Sequence, residues 1–199
     1  MTSRQSRREQ LNGNEFLNRQ LETCIRDLEQ AKSQARQLFA SASEELLSRR
    51  PSRESWSALE CVAHLNLSGD AMLPGIKQAI AEAQQLPKMQ RSNYKLDFCG
   101  RLLAWTLEPP ARVKFKTSTI AQPIAHGSSG ETLSEFDRLQ DELVDLLRSA
   151  SELSFDRCKM KSPFANMSYN AYSAFRIIAA HNRRHLWQAA KALKVLSPQ

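Results

Sequence analysis

From Asn14 to Arg49 the chain contains neither glycine nor proline. Apolar residues return along it at Phe16 and Leu17, Leu21, Ile25, Leu28, Ala31, Ala35, Leu38 and Phe39, Ala42, and Leu46 and Leu47. A recurrence near about 3.6 residues, sustained over many turns, predicts one long amphipathic helix. Arg50-Pro51 ends it, because a residue before proline disfavours the helical region.

A second helix begins at Ser57. Ser57-Ala58-Leu59-Glu60 has the form of a capping box, with Ser57 as N-cap and Glu60 reaching back to it. Trp56 precedes the cap and can pack as a hydrophobic staple. This helix runs through Val62, His64, Leu65 and Met72, bends at Pro74-Gly75, and reaches about Gln85. The stretch from Lys88 to Gly130 is the least regular. Leu96 to Leu107 predicts a short helix with Phe98, Leu102, Leu103 and Trp105 as its apolar residues, stopped by Pro109-Pro110. Arg112-Val113-Lys114-Phe115-Lys116 alternates apolar and basic residues and reads as an extended segment crossing the bundle, and His126 to Gly130 as a loop. A third helix is expected from about Thr132 to Ser151, and a fourth long helix from a cap at Ser168 to about Leu193. Four long helices with one extended crossover between the second and third make an all-α, four-helix bundle. Residues 1–12 read as a flexible tail, and 13–199 as a single domain.

Composition agrees with this pattern. Of 199 residues, 41% are hydrophobic and 25% charged, which is globular rather than disordered. The chain has 6 glycines, few for a fold rich in tight turns. No apolar run approaches the roughly 20 residues of a membrane span, and no apolar run follows Arg4, Arg7 and Arg8 as a secretory signal requires. The expectation is a soluble, cytoplasmic protein. Cys24, Cys61, Cys99 and Cys158 are widely spaced, form no C-x-x-C pair and are expected as free thiols. A net charge of +7 favours acidic ligands or nucleic acid only where the charges cluster on one face. No nucleic-acid motif accompanies the basic segment 112–116, so a solvated basic loop is the simpler reading.

The chemistry concentrates in the histidines. The chain has four: His64, His126, His181 and His185. His181 and His185 stand one turn apart on one face of the fourth helix. The core stripe of that helix runs through Ala174, Ile178, His181, His185 and Ala189, leaving Arg183 and Arg184 off it. On the second helix Cys61, His64 and Ser68 share a stripe. A bundle that buries both stripes can bring three imidazoles to one point, with water in a fourth position, the pattern of a catalytic metal site. Spacing alone leaves open the alternative of hydrogen-bonded core histidines in a non-catalytic interaction module. Asn182 between the pair removes the general-base glutamate of an H-E-x-x-H peptidase helix.

Two segments, Trp56-Ser-Ala-Leu-Glu-Cys-Val-Ala-His64-Leu and Ala180-His181-Asn-Arg-Arg-His185-Leu-Trp-Gln188, resemble the signature segments of the DinB-like superfamily. The segment Trp105 to Lys116 resembles its crossover. The resemblance runs from about Trp56 onward, the first helix matching only in pattern. It implies an up-down-down-up four-helix bundle, often a homodimer, and a divalent metal held by His64, His181 and His185. His126 matches no ligand position. Some family members transfer a low-molecular-weight thiol such as bacillithiol, mycothiol or glutathione; many are described only as metal-dependent hydrolases.

Such a site can lower the pKa of water for hydrolysis, or hold a thiol as thiolate for transfer. The expected function is therefore a metal-dependent hydrolase or thiol S-transferase acting on a small molecule. Imidazole suits several ions, of which zinc or nickel is expected. Cys61, one turn before His64, is a small buried hydrophobe, a fourth ligand or a redox-sensitive neighbour, and the hydrophobe is favoured. Arg112, Lys114, Lys116 and Arg184 can attract the carboxylates of a thiol cofactor.

Overall fold

Leu21, Cys24, Leu28, Ala31, Ala35 and Phe39 are all buried, so the period read along the first segment is the face it turns inward. In a computed structural model, residues 2–87, 93–110, 113, 117–123 and 127–197 are described, with side chains from residue 19 onward. Arg112, Lys114, Phe115, Lys116 and His126, all discussed above, lie outside the described residues. The helices are α1 (Thr2–Ala40), α2 (Glu44–Ser48), α3 (Ala58–Gln84), α4 (Phe98–Leu107), α5 (Ser129–Ser149) and α6 (Ala171–Leu196). Short 3-10 turns lie at Thr119–Ala121 and Phe155–Arg157, and strands β1 (Lys159–Lys161) and β2 (Ser168–Asn170) form an antiparallel hairpin.

Ion pairs and packing fix the helix directions. Lys32 and Arg36 of α1 meet Asp141 and Asp137 of α5, so the numbers rise on one helix as they fall on the other. Asp70 and Lys77 of α3 meet Arg138 and Glu142 of α5, rising together. Leu21 to Leu28 of α1 share a cluster with Ala171 to Ala180 of α6, and Ala31 to Phe39 share a second with Leu186 to Leu193. On α3 the order is reversed, with Met72 to Ala83 in the first cluster and Ala58 to Leu65 in the second. Helices α1 and α6 thus run one way and α3 and α5 the other: an up-down-down-up four-helix bundle. Each of α1 and α3 packs on both α5 and α6.

Several boundaries differ from those expected. The helix predicted through Arg49 stops at Ala40. Ser43 then caps the separate α2, its hydroxyl accepting from Leu46 N at 3.3 Å. Helix α5 begins at Ser129 rather than Thr132, because Ser128 and Glu131 form a capping box. Ser168 is not the cap of the last helix. It belongs to β2, and Asn170 caps α6 by accepting from Ser173 N at 2.8 Å. Pro74 lies inside α3, which is continuous from Ala58 to Gln84.

Helix α4 lies against α6. Its cap, Asp97, accepts from Gly100 N at 2.7 Å and from Asn170 N at 2.6 Å, tying α4 to the start of α6. At Gly100 a Cβ would fall 2.2 Å from Ser173 Cβ, so the approach of the two helices requires glycine there. On the outer side of α4 the apolar residues Phe98, Leu102 and Trp105 are exposed.

Candidate metal centre

Ser57 begins α3 with a complete capping box. Its hydroxyl accepts from Glu60 N at 3.1 Å, and Glu60 Oε2 accepts from Ser57 N at 2.9 Å. Burial opposes the charge of Glu60, but Arg50, whose Nε lies 2.8 Å from Oε2, and Ser57 together hold its carboxyl below the usual range. The cap therefore fixes both the start of α3 and the residue that precedes the cap, Trp56. His64 follows two turns into the helix and is buried.

Across the interior, α6 presents His181 and His185. His185 is buried and His181 half-buried. The three rings converge, with centroids 5.0 Å apart for His64 and His181, 4.5 Å for His64 and His185, and 4.6 Å for His181 and His185. One nitrogen of each lies within 4.8 Å of one of each of the others. The site sits between the two apolar clusters, at the level where α3 and α6 cross from one to the other.

The hydrogen bonds orient the rings. His64 Nδ1 lies 2.6 Å from the carbonyl oxygen of Ala121, in the crossover. A carbonyl only accepts, so Nδ1 carries the proton and Nε2 keeps its lone pair. His64 Nε2 lies 3.1 Å from His181 Nε2. That separation is close to the roughly 3.3 Å between two imidazole nitrogens on a tetrahedral zinc ion. His185 Nδ1 is buried with no hydrogen-bond partner. An orphaned buried nitrogen costs about 1–3 kcal/mol, a cost that a bound cation removes. All three imidazoles are held neutral. Burial lowers the pKa of His64; burial, with repulsion of a second proton by His64 and Arg184, takes His181 down to about 3; burial, then His181, His64 and Arg184 in turn, put His185 well below its ordinary value. Neutral imidazole is the ligating form, so the donor set fits a divalent metal.

The surroundings depart from the sequence reading at three places. Arg184, placed off the core stripe, is buried. It donates to the carbonyl oxygens of Thr106 at 3.2 Å and Val113 at 2.5 Å, so the end of α4 and the crossover cover that side of α6. Trp56 does more than staple the helix: its indole lies 4.9 Å from the His64 ring and 5.7 Å from that of His185. Ala121 had no signal in the sequence, because a backbone carbonyl has no residue type. Cys61 is fully buried in the apolar cluster beside the site, and burial pushes its thiol pKa far up. The convergent group among the described residues contains histidines alone, so Cys61 is a hydrophobe here.

A bundle of this topology, with three converging histidines that could hold a metal ion, defines a class of helical protein. The family model of the DinB superfamily matches residues 27–189, and the chain belongs to that superfamily. Among solved structures it is similar to YfiT from Bacillus subtilis, described as a probable metal-dependent hydrolase with an unusual four-helix bundle topology. The TM-score is 0.59 at 15% sequence identity, covering 88% of this chain and 87% of that one. At that identity the likeness shows the fold. No curated protein matches the sequence.

Proposed function

We propose that this protein is a divalent-metal-dependent hydrolase of a small molecule, with His64, His181 and His185 as the metal ligands. The observation that carries the reading is the convergence of three neutral imidazoles, one of them with an orphaned buried nitrogen. A divalent ion held there would act as a Lewis acid, polarising a substrate carbonyl or phosphoryl group and easing the deprotonation of water. The chain's own contribution is orientation. Ala121 O fixes the tautomer of His64, and its Nε2 faces the site. Because neutral imidazoles add no negative charge, the centre stays electropositive, and Arg184 adds to that field. A substrate with an anionic or strongly polarised group suits it best. Zinc or nickel is the ion we favour.

The same centre can hold a thiol, so S-transfer to an electrophile is the second activity to assay. On the family resemblance we also assign a homodimer, and on the free cysteines a reducing, cytoplasmic setting. We draw the domain as residues 13–199.

The test is metal analysis of the purified full chain by mass spectrometry, followed by a panel of small esters, amides and phosphate esters, and a thiol with an aromatic electrophile. Stoichiometric divalent metal and a turnover that chelation abolishes are expected. A chain that carries no such metal, and takes none up on titration, overturns the reading.

A further inference from the structure

We infer that Trp56 is a positioning residue of this centre: its indole holds His64 and His185, ligands from two different helices, in the orientation that binds the ion. The inference rests on the metal reading above and goes beyond it, to how the site is kept rigid. The ligands are not equally supported. His64 is fixed from behind by the Ala121 carbonyl at 2.6 Å. His185 Nδ1, by contrast, is buried without a hydrogen-bond partner. Here the indole intervenes. It stacks on His185 with 29° between planes and leans on His64 at 47°. One rigid surface therefore restrains two imidazoles whose backbones belong to α3 and α6.

The indole is itself held in place. Trp56 directly precedes the N-cap, so the bonds from Ser57 N to Glu60 and from Glu60 N to Ser57 set where its backbone enters the helix. Arg50 grips the same Glu60 carboxylate from the other side through both oxygens, its Nε at 2.8 Å and 3.0 Å. A line of contact thus runs from Arg50 through Glu60 and Ser57 to the indole, and from the indole to two imidazoles. Groups that orient metal ligands from outside the coordination sphere commonly change affinity by about 10–100-fold when removed.

The test is cobalt binding by the full-length chain, read by visible absorption and by tryptophan emission. The protein has three tryptophans, Trp56, Trp105 and Trp187, so the emitters can be separated by substitution. Cobalt is expected to quench emission in the wild type, in Trp105→Phe and in Trp187→Phe, and to quench far less in Trp56→Phe. Trp56→Ala is expected to bind cobalt about 10–100-fold more weakly with an altered ligand-field spectrum. Trp56→Phe, which restores a ring, is expected to recover most of that loss. A merely structural Trp56 would lower the thermal midpoint and leave cobalt affinity and spectrum as in the wild type; that result overturns the inference and leaves the metal reading standing. A wild-type chain that binds no cobalt, zinc or nickel overturns both. Where Trp56→Ala fails to fold, Arg50→Gln replaces it: a several-fold weaker cobalt affinity supports the inference, and an unchanged affinity and spectrum overturn it.

Discussion

Along α6 the interior changes character within a few turns. Near its start Tyr172 and Phe175 meet Phe155 and Tyr94 in a box of rings, with centroids 4.7 to 6.2 Å apart. The polar tip of that box is satisfied, since Tyr94 donates to the carbonyl of Ser151 at 3.0 Å. Further along, His181 and His185 meet His64 at similar centroid distances, 4.5 to 5.0 Å, but with nitrogens turned towards one another and one of them orphaned. Both layers are well packed. Burying the aromatic box is favourable in itself, because large apolar surface leaves water and no donor is stranded. Burying the histidine layer is not, because its nitrogens lose water and regain only part of their bonds. The first layer is what an interior needs to be stable; the second is an interior arranged to receive something.

The sharpest way to break this comparison is one substitution in each layer. Phe155 is fully buried, and Phe155→Ala is expected to cost about 3–5 kcal/mol of stability in denaturant unfolding. Metal affinity, measured on the fraction that remains folded, should hardly change. His181→Ala should do the reverse, abolishing stoichiometric metal while costing no more than the ~1 kcal/mol of an ordinary substitution. Equal stability losses in the two variants, with metal kept in both, would make the histidines plain core residues.

A smaller effect is expected where α4 meets α6, outside both layers. Gly100→Ala would force a methyl to within 2.2 Å of Ser173 Cβ, and the helices must part to admit it. An overpacking cost of about 1–3 kcal/mol is expected. Crossover geometry is carried in part by Arg184, which bonds to Thr106 O and Val113 O, so a modest loss of metal affinity should accompany the shift. A thermal midpoint equal to that of the wild type would show that the contact yields freely.

What was legible beforehand divides along physical lines. Long-range periodicity reads well, because burial of a stripe imposes it. It marked the inward face of α1 and drew His181 and His185 onto the interior of α6 with His64 opposite. Local capping reads well when nothing competes. Ser57 and Glu60 stood out, whereas Ser128 and Glu131, the same signature, were hidden by the intervening Ser129-Gly130, which looks like loop. Three-residue strands at Lys159–Lys161 and Ser168–Asn170 are too short to show alternation, and Ser168 passed for a cap. The apolar residues of α4 were visible, but that Phe98, Leu102 and Trp105 face outward was not, since residue type shows that a helix has apolar positions but not what they meet. The burial of Arg184 does not show in the stripe for a related reason: a stripe describes one helix, and this burial comes from two other segments. The Ala121 carbonyl and the indole of Trp56 are tertiary facts, invisible to spacing.

The two capping boxes offer the finest test, because they are alike in chemistry and differ only in what stands beside them. Ser57 and Ser128 each accept from the backbone nitrogen of a glutamate three residues on, at 3.1 and 3.2 Å. Ser→Ala at either cap should cost about 1 kcal/mol, the ordinary price of a lost N-cap. Beyond stability the two should part. Ser57 sets the position of Trp56 against His64 and His185, so Ser57→Ala is expected to weaken cobalt binding several-fold and reduce the quenching of tryptophan emission. Ser128 begins α5, which supplies none of the three histidines, so Ser128→Ala should leave both readouts unchanged. Measured together by thermal unfolding and metal titration, the pair separates the stability a cap gives its helix from the orientation it gives the neighbouring site. Were both variants to lose metal affinity in proportion to stability, the centre would answer to the firmness of the whole bundle rather than to the line from Arg50 to Trp56.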